Sequence, residues 1–173
     1  MSFRKISIKE FAVNPMTMFS DKWMLLTAGD ERNGFNTMTI SWGHLGAIWG
    51  NTGGMPSAVV YVRPHRYTKE FIDRNEIFTL SVFDPEYKKI LQYLGSVSGR
   101  DEDKVSKTGL TPVFDQDTTY FNEAGMVLIC RKLYHASLRE DGFVDKNIID
   151  INYPEKDFHE IYVGEILSIM TNR

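Results

Sequence analysis

The chain has 173 residues, a mass of 19.9 kDa, 42% apolar and 25% charged residues, and a formal net charge of −3. That is the make-up of a single globular domain over residues 1–173, long enough to bury a core and too apolar for a disordered chain. The weak acidic balance argues against nucleic-acid backbone binding, and no apolar run reaches the roughly 18 residues of a membrane-spanning helix.

In chain order the pattern is mostly that of strands. Residues 23–28 (WMLLTA) form a short apolar run that ends at a Gly-Asp turn. Residues 37–42 (TMTISW) alternate strictly, and residues 57–63 (SAVVYVR) are β-branched up to Pro64, which cannot continue a central strand. A helix follows over 68–74, with Thr68 as its N-cap and Glu70 in its first turn. Residues 76–83 alternate again. A second helix over 85–94 starts behind Asp84 with Pro85 in first position and stops at Gly95.

Residues 126–138 make a strand long enough to bend across a barrel, residues 142–151 a weaker one, and residues 160–170 the last. Gly164 in that last strand marks a bulge or a close backbone approach. Segments 43–55, with five glycines, and 96–116, with the charge cluster Arg100-Asp101-Glu102-Asp103-Lys104, fit no regular element. Many strands and few short helices predict a mainly β fold, closed or partly closed as an antiparallel barrel.

Three places carry chemistry. On the strand 36–42, Met38, Ile40 and Trp42 point one way, and Thr37, Thr39 and Ser41 the other. That row of hydroxyls faces either water or a polar ligand. At 63–68, Arg63 ends a strand, Arg66 lies in a turn and Thr68 opens a helix. Two guanidinium groups beside a helix N-terminus suit a phosphate dianion, though arginines at a turn are also commonly just solvated. At 96–104, small residues and Gly99 permit close backbone approach, and Lys104 adds charge; the alternative is a loop whose charges pair among themselves.

Other chemistry lacks its signature. His44, His65, His135 and His159 show no tight metal-ligand spacing, so no metal is expected. Cys130, the single cysteine, excludes an intrachain disulfide and paired-cysteine motifs, and it lies in an apolar strand as a small buried hydrophobe. No nucleophile elbow, P-loop or dinucleotide-fold glycine pattern is present. With no apolar leader at the N-terminus, the expected location is the cytoplasm.

Taken together, the segments Asn36-Thr37-Met38-Thr39-Ile40-Ser41-Trp42-Gly43, Tyr61-Val62-Arg63-Pro64-His65-Arg66-Tyr67-Thr68, Phe78-Thr79-Leu80-Ser81 and Ser98-Gly99-Arg100-Asp101-Glu102-Asp103-Lys104 resemble the flavin reductase-like, FMN-binding split-barrel family, its flavoredoxin branch in particular. The likeness runs from about residue 15 to the end. It implies a split antiparallel β-barrel that forms a homodimer, with FMN held near the subunit interface. By that resemblance Asn36, Met38, Thr39, Ser41 and Trp42 lie along the flavin and its ribityl chain. Arg63, Arg66 and Thr68 reach the phosphate, and Ser98, Gly99 and Lys104 close over the cofactor. The implied activity is an NADH- or NADPH-linked oxidoreductase passing electrons to free flavin, a ferric complex or a protein partner. Its alternatives are an FMN-binding electron carrier without nicotinamide turnover and a non-redox ligand-binding barrel. The flavin would carry the redox chemistry, so no catalytic side chain is assigned. Segments 43–55 and 141–157 are expected to shape access to the ring.

Overall fold

The structure is a computed structural model that describes residues 3–115 and 117–172. Its elements, in chain order, are β1 (Arg4–Ile6), α1 (Pro15–Thr17) continued by a π-helical turn Met18–Lys22, β2 (Met24–Asp30), β3 (Gly34–Ile40), β4 (Gly43–Ile48), β5 (Met55–Val62) and α2 (Tyr67–Arg74). There follow β6 (Ile77–Val82), a 3₁₀ turn Pro85–Tyr87 leading into α3 (Lys88–Ser96), β7 (Pro112–Asp115), β8 (Thr118–Phe121), β9 (Met126–Ser137), a 3₁₀ turn Glu140–Gly142, α4 (Asn147–Asn152) and β10 (Glu160–Thr171).

The main sheet runs β3-β2-β6-β9-β10-β5-β4, with β1 added against the far end of β10, and every pair is antiparallel. β7 and β8 form a separate hairpin. β10 bends at Gly164, where its register with β9 shifts. A Cβ at Gly164 would lie 2.7 Å from the ring of Phe78 and 3.1 Å from Cys130 Cβ, so only glycine lets the bent strand pass over them.

Strand alternation distributes the side chains between two cores. Met24, Leu26, Ala28, Phe78, Leu80, Leu128, Cys130 and Tyr162 fill the barrel interior, closed at one side by Phe71 and Ile72 of α2. Leu25 and Val127 point the other way, onto Leu91 and Leu94 of α3 and onto Tyr120 and Phe121 of β8. β2 is therefore buried along its whole length, which explains why its sequence is a continuous apolar run rather than an alternating one.

Several expectations are corrected. Residues 142–151 form no strand, only a turn and α4. β9 and β10 pair directly with each other, and this segment is the connection between them. Helix α2 starts at Tyr67 with Arg66 as N-cap, and the Thr68 side chain does not cap it. The helix expected over 85–94 is split into a 3₁₀ turn and α3, which runs past Gly95 to Ser96. The glycine-rich stretch 43–55 is the β4–β5 hairpin, its tip made possible by left-handed backbone at Trp49, Gly50 and Gly53.

Candidate functional site

β3 ends at Ile40, and Ser41-Trp42 carries the chain into β4. These two strands are the ends of the sheet and do not pair, so the barrel is open here and spanned only by that dipeptide. A cleft of about 220 Å³ lies at the opening, walled by Met38, Thr39, Ile40, Ser41, Trp42, Tyr61, Arg63, Arg66 and His159. Two further hollows share its walls. One of about 280 Å³ extends past Thr39 and Ser41 to Gly95 and Ser96, and one of about 430 Å³ extends past Trp42 and Tyr61 to Phe19, His44 and Tyr153.

The hydroxyl row of β3 is divided by its surroundings. Thr37 is fully buried, accepts from Thr27 Oγ1 at 2.8 Å and donates to the Leu26 carbonyl at 3.2 Å. Thr39 Oγ1 donates to the Leu91 carbonyl of α3 at 2.5 Å. Only Ser41 stands exposed at the cleft. Trp42 is exposed as well, unlike Met38 and Ile40, because the strand has ended before it. Its indole lies 4.9 Å from the His159 ring.

The cleft has a cationic wall. Arg63 pairs with Asp157 at 2.6 Å, donates to the Asn152 carbonyl at 2.8 Å and sits over the Tyr153 ring. Arg66 donates to the Gly95 carbonyl at 2.8 Å. Burial and the neighbouring Arg63 both lower the Arg66 pKa, and burial together with Arg66 brings Lys104 down to about 8. Burial, with Arg63 next, takes His159 down to about 4, so its ring is neutral at pH 7. Burial opposes the charge on Asp157, but Arg63 outweighs it and holds the carboxyl below its usual range. Among the described residues Asp157 is the one carboxylate paired with Arg63 or Arg66. The wall thus keeps an excess of positive charge at a half-buried surface, which an anion would offset.

The cleft therefore unites six of the residues expected from the sequence: Met38, Thr39, Ser41, Trp42, Arg63 and Arg66. The other five lie outside its walls. Asn36 Nδ2 donates to Thr68 Oγ1 at 2.8 Å, a buried cross-link from β3 to α2. Gly99 faces that cross-link: a Cβ there would lie 2.3 Å from Asn36 Oδ1 and 3.2 Å from the Tyr67 ring. Ser98 Oγ accepts from the Arg100 N–H at 3.2 Å within its own turn. Lys104 is buried and donates to the carbonyls of Leu94 and Val97 at 2.8 and 2.9 Å.

A match to the model of the flavin reductase like domain covers residues 16–173. The chain belongs to the flavin reductase-like domain family. Its fold is the split barrel of that family, and solved structures agree. The FMN-binding domain of a flavin reductase-like enzyme from Shewanella baltica superposes with a TM-score of 0.66 at 13% identity, over 99% of this chain and 78% of that one. The flavoredoxin of Desulfovibrio vulgaris gives a TM-score of 0.66 at 22% identity, over 98% and 78% of the two chains. The NADH:FAD oxidoreductase of Streptomyces globisporus gives 0.63 at 14%, over 87% and 74%. No curated protein matches the chain in sequence.

In this flavin reductase-like domain the cleft and its border also hold residues that the sequence did not single out. Tyr61 lies two residues before Arg63, so the strand period alone places them on one side. Tyr153, Asp157 and His159 come from the far end of the chain and carry no local signal. They assemble because Tyr153 Oη and His159 Nδ1 share a hydrogen bond of 2.9 Å while Asp157 and Asn152 hold Arg63. Of segment 141–157, Asn152, Tyr153 and Asp157 reach Arg63 beside the cleft. Cys130 takes no part: it is fully buried, and burial pushes its thiol pKa far up. No helix among the described residues is long and apolar enough to cross a membrane.

Proposed function

We propose that this domain binds FMN at the barrel opening and works as an NADH- or NADPH-linked oxidoreductase, passing electrons to free flavin, a ferric complex or a protein partner. The observation that carries this reading is the cleft in which Arg63 and Arg66 stand beside Thr39, Ser41 and Trp42 with a single opposing carboxylate, Asp157. Two guanidinium groups suit a terminal phosphate, and the excess cationic charge suits a ligand that carries one. Ser41 offers a hydroxyl to the polyol or ring edge, and the Trp42 and Tyr61 rings form walls suited to a flat heterocycle. The binding groups already line a cleft in the free chain, so the residues present fit FMN. When bound, FMN supplies the two-electron chemistry. The chain's part is to hold the phosphate with Arg63 and Arg66, to orient the polyol at Ser41 and to keep one face of the site open to solvent.

The names of the structural neighbours accord with this reading, since they include an FMN-binding domain, a flavoredoxin and an NADH:FAD oxidoreductase. A homodimer is part of the proposal. Trp49 and Tyr134 are exposed and lie 6.4 Å apart between ring centres, an aromatic surface that a second copy would cover. Sedimentation of dilute protein at the mass of one chain would remove that part. A cytoplasmic location accords with the one unpaired, buried cysteine.

The test is a visible spectrum of the purified protein, followed by NADH and NADPH consumption with added FMN or ferric chelate. Flavin colour with nucleotide turnover supports the oxidoreductase. Colour without turnover with either nucleotide supports the electron carrier. Colourless protein whose melting temperature does not rise with FMN supports a non-redox module.

A further inference from the structure

The carboxyl end of α3 is gripped by side chains from three separate parts of the chain. The Leu91 carbonyl takes Thr39 Oγ1, the Gly95 carbonyl takes Arg66 Nη1, and Lys104 Nζ spans the carbonyls of Leu94 and Val97. The last carbonyls of a helix have no partner within the helix and carry its partial negative charge, so this end is a natural seat for cations. Two cations share it here, and neither has a carboxylate partner among the described residues. Lys104 is only 3% exposed, a costly place for a charge. Its two hydrogen bonds straddle Gly95, the residue whose carbonyl orients Arg66.

We propose that Lys104 is a positioning residue for phosphate selectivity. By fixing the carbonyls on either side of Gly95 it holds the Arg66 guanidinium toward the cleft, and so sets the preference for a phosphorylated over an unphosphorylated ligand. This rests on the reading of Arg66 as the phosphate's partner. Lys104 itself does not line the cleft. It acts through α3, and the lysine end of the 96–104 loop serves the site without touching what is bound there.

The experiment is a double-mutant cycle read as the ratio of riboflavin to FMN dissociation constants, measured by flavin fluorescence quenching. The proteins are wild type, Lys104→Met, Arg66→Met and the double variant, with thermal melts run alongside. Lys104→Met is expected to lower the ratio by about tenfold or more, as loss of a charge-assisted contact does, while riboflavin affinity stays near wild type. In the Arg66→Met background the same change is expected to leave the ratio where it is. Lys104→Gln, which keeps one N–H group near the carbonyls, is expected to fall between, and it serves in place of Lys104→Met if that variant does not fold. A ratio that Lys104→Met leaves unchanged overturns the proposal. So does a ratio lowered equally in both backgrounds, which would make Lys104 a direct partner of the phosphate. A wild-type protein that does not discriminate between the two flavins removes the phosphate reading itself, and the proposal with it.

Discussion

Gly99→Ala tests how tightly the loop after α3 is seated on the site. The new Cβ would lie 2.3 Å from Asn36 Oδ1, 3.2 Å from Asn36 Cγ and 3.2 Å from the Tyr67 ring. Asn36 is buried and its amide is committed to Thr68 Oγ1 at 2.8 Å, so it has little room to yield. Overpacking of this kind costs about 1–3 kcal/mol, and a lost hydrogen bond adds about 1 kcal/mol if Asn36 turns away. At about 2–4 °C per kcal/mol for a domain of this size, 1–3 kcal/mol corresponds to a drop in melting temperature of about 2–12 °C. Thermal melts followed by circular dichroism measure it. Gly46→Ala is the control, because a Cβ there meets nothing within 4 Å, and it should melt close to wild type. In an Asn36→Ser background, where the clashing amide is gone, Gly99→Ala should recover most of the loss. A Gly99→Ala protein that melts with wild type, or a loss that persists in the Asn36→Ser background, would refute the reasoning.

Other consequences follow from the packing and the charges. Gly164→Ala drives a Cβ against the Phe78 ring in the barrel core and should cost about 1–3 kcal/mol by denaturant unfolding, with an unchanged m-value. The His159 ring stays neutral in the folded protein down to about pH 4, whereas its ordinary value is 6.5. Between these values the unfolded chain binds more protons, so stability should fall as pH is lowered from about 6.5 to 4. His159→Gln should flatten the melting-temperature profile across that window; a profile as steep as wild type would contradict it. Asp157→Asn removes the carboxylate that faces Arg63 at 2.6 Å and should tighten FMN by up to about fivefold, more at low salt than at high salt. Weaker FMN binding by that variant would show that the hold of Asp157 on Arg63 outweighs its competition for that charge.

The parts of the fold that the sequence disclosed are those with a local cause. β2, β5, β6, β9 and β10 announce themselves by apolar runs or alternation, and Pro64 and Pro85 mark a strand end and a helix start. β4 was hidden because glycines at its hairpin break the pattern, and the short β1, β7 and β8 exist only through their partners. The sequence of α4 resembles a strand because Ile148, Ile149 and Ile151 favour one, yet it lies in the connection between β9 and β10 and joins no ladder. The site divides in the same way. Thr39 with Ser41, and Arg63 with Arg66, form two short local patterns, and the fold brings both pairs to one cleft. Thr68 and Lys104 were placed by residue type, and the fold uses the Thr68 hydroxyl to hold Asn36 and the Lys104 ammonium to hold the end of α3. Asp157 and His159 reach the site only through tertiary structure, so no local pattern could disclose them.

The most direct measurement is a parallel titration of the wild-type protein and an Arg63→Met/Arg66→Met variant with FMN and with riboflavin. Wild type should bind FMN at least about tenfold more tightly than riboflavin, and the variant should bind the two alike with riboflavin affinity preserved. Equal affinities in the wild type, or a preference for FMN that survives loss of both arginines, would contradict the assignment of a phosphate-binding wall at the barrel opening.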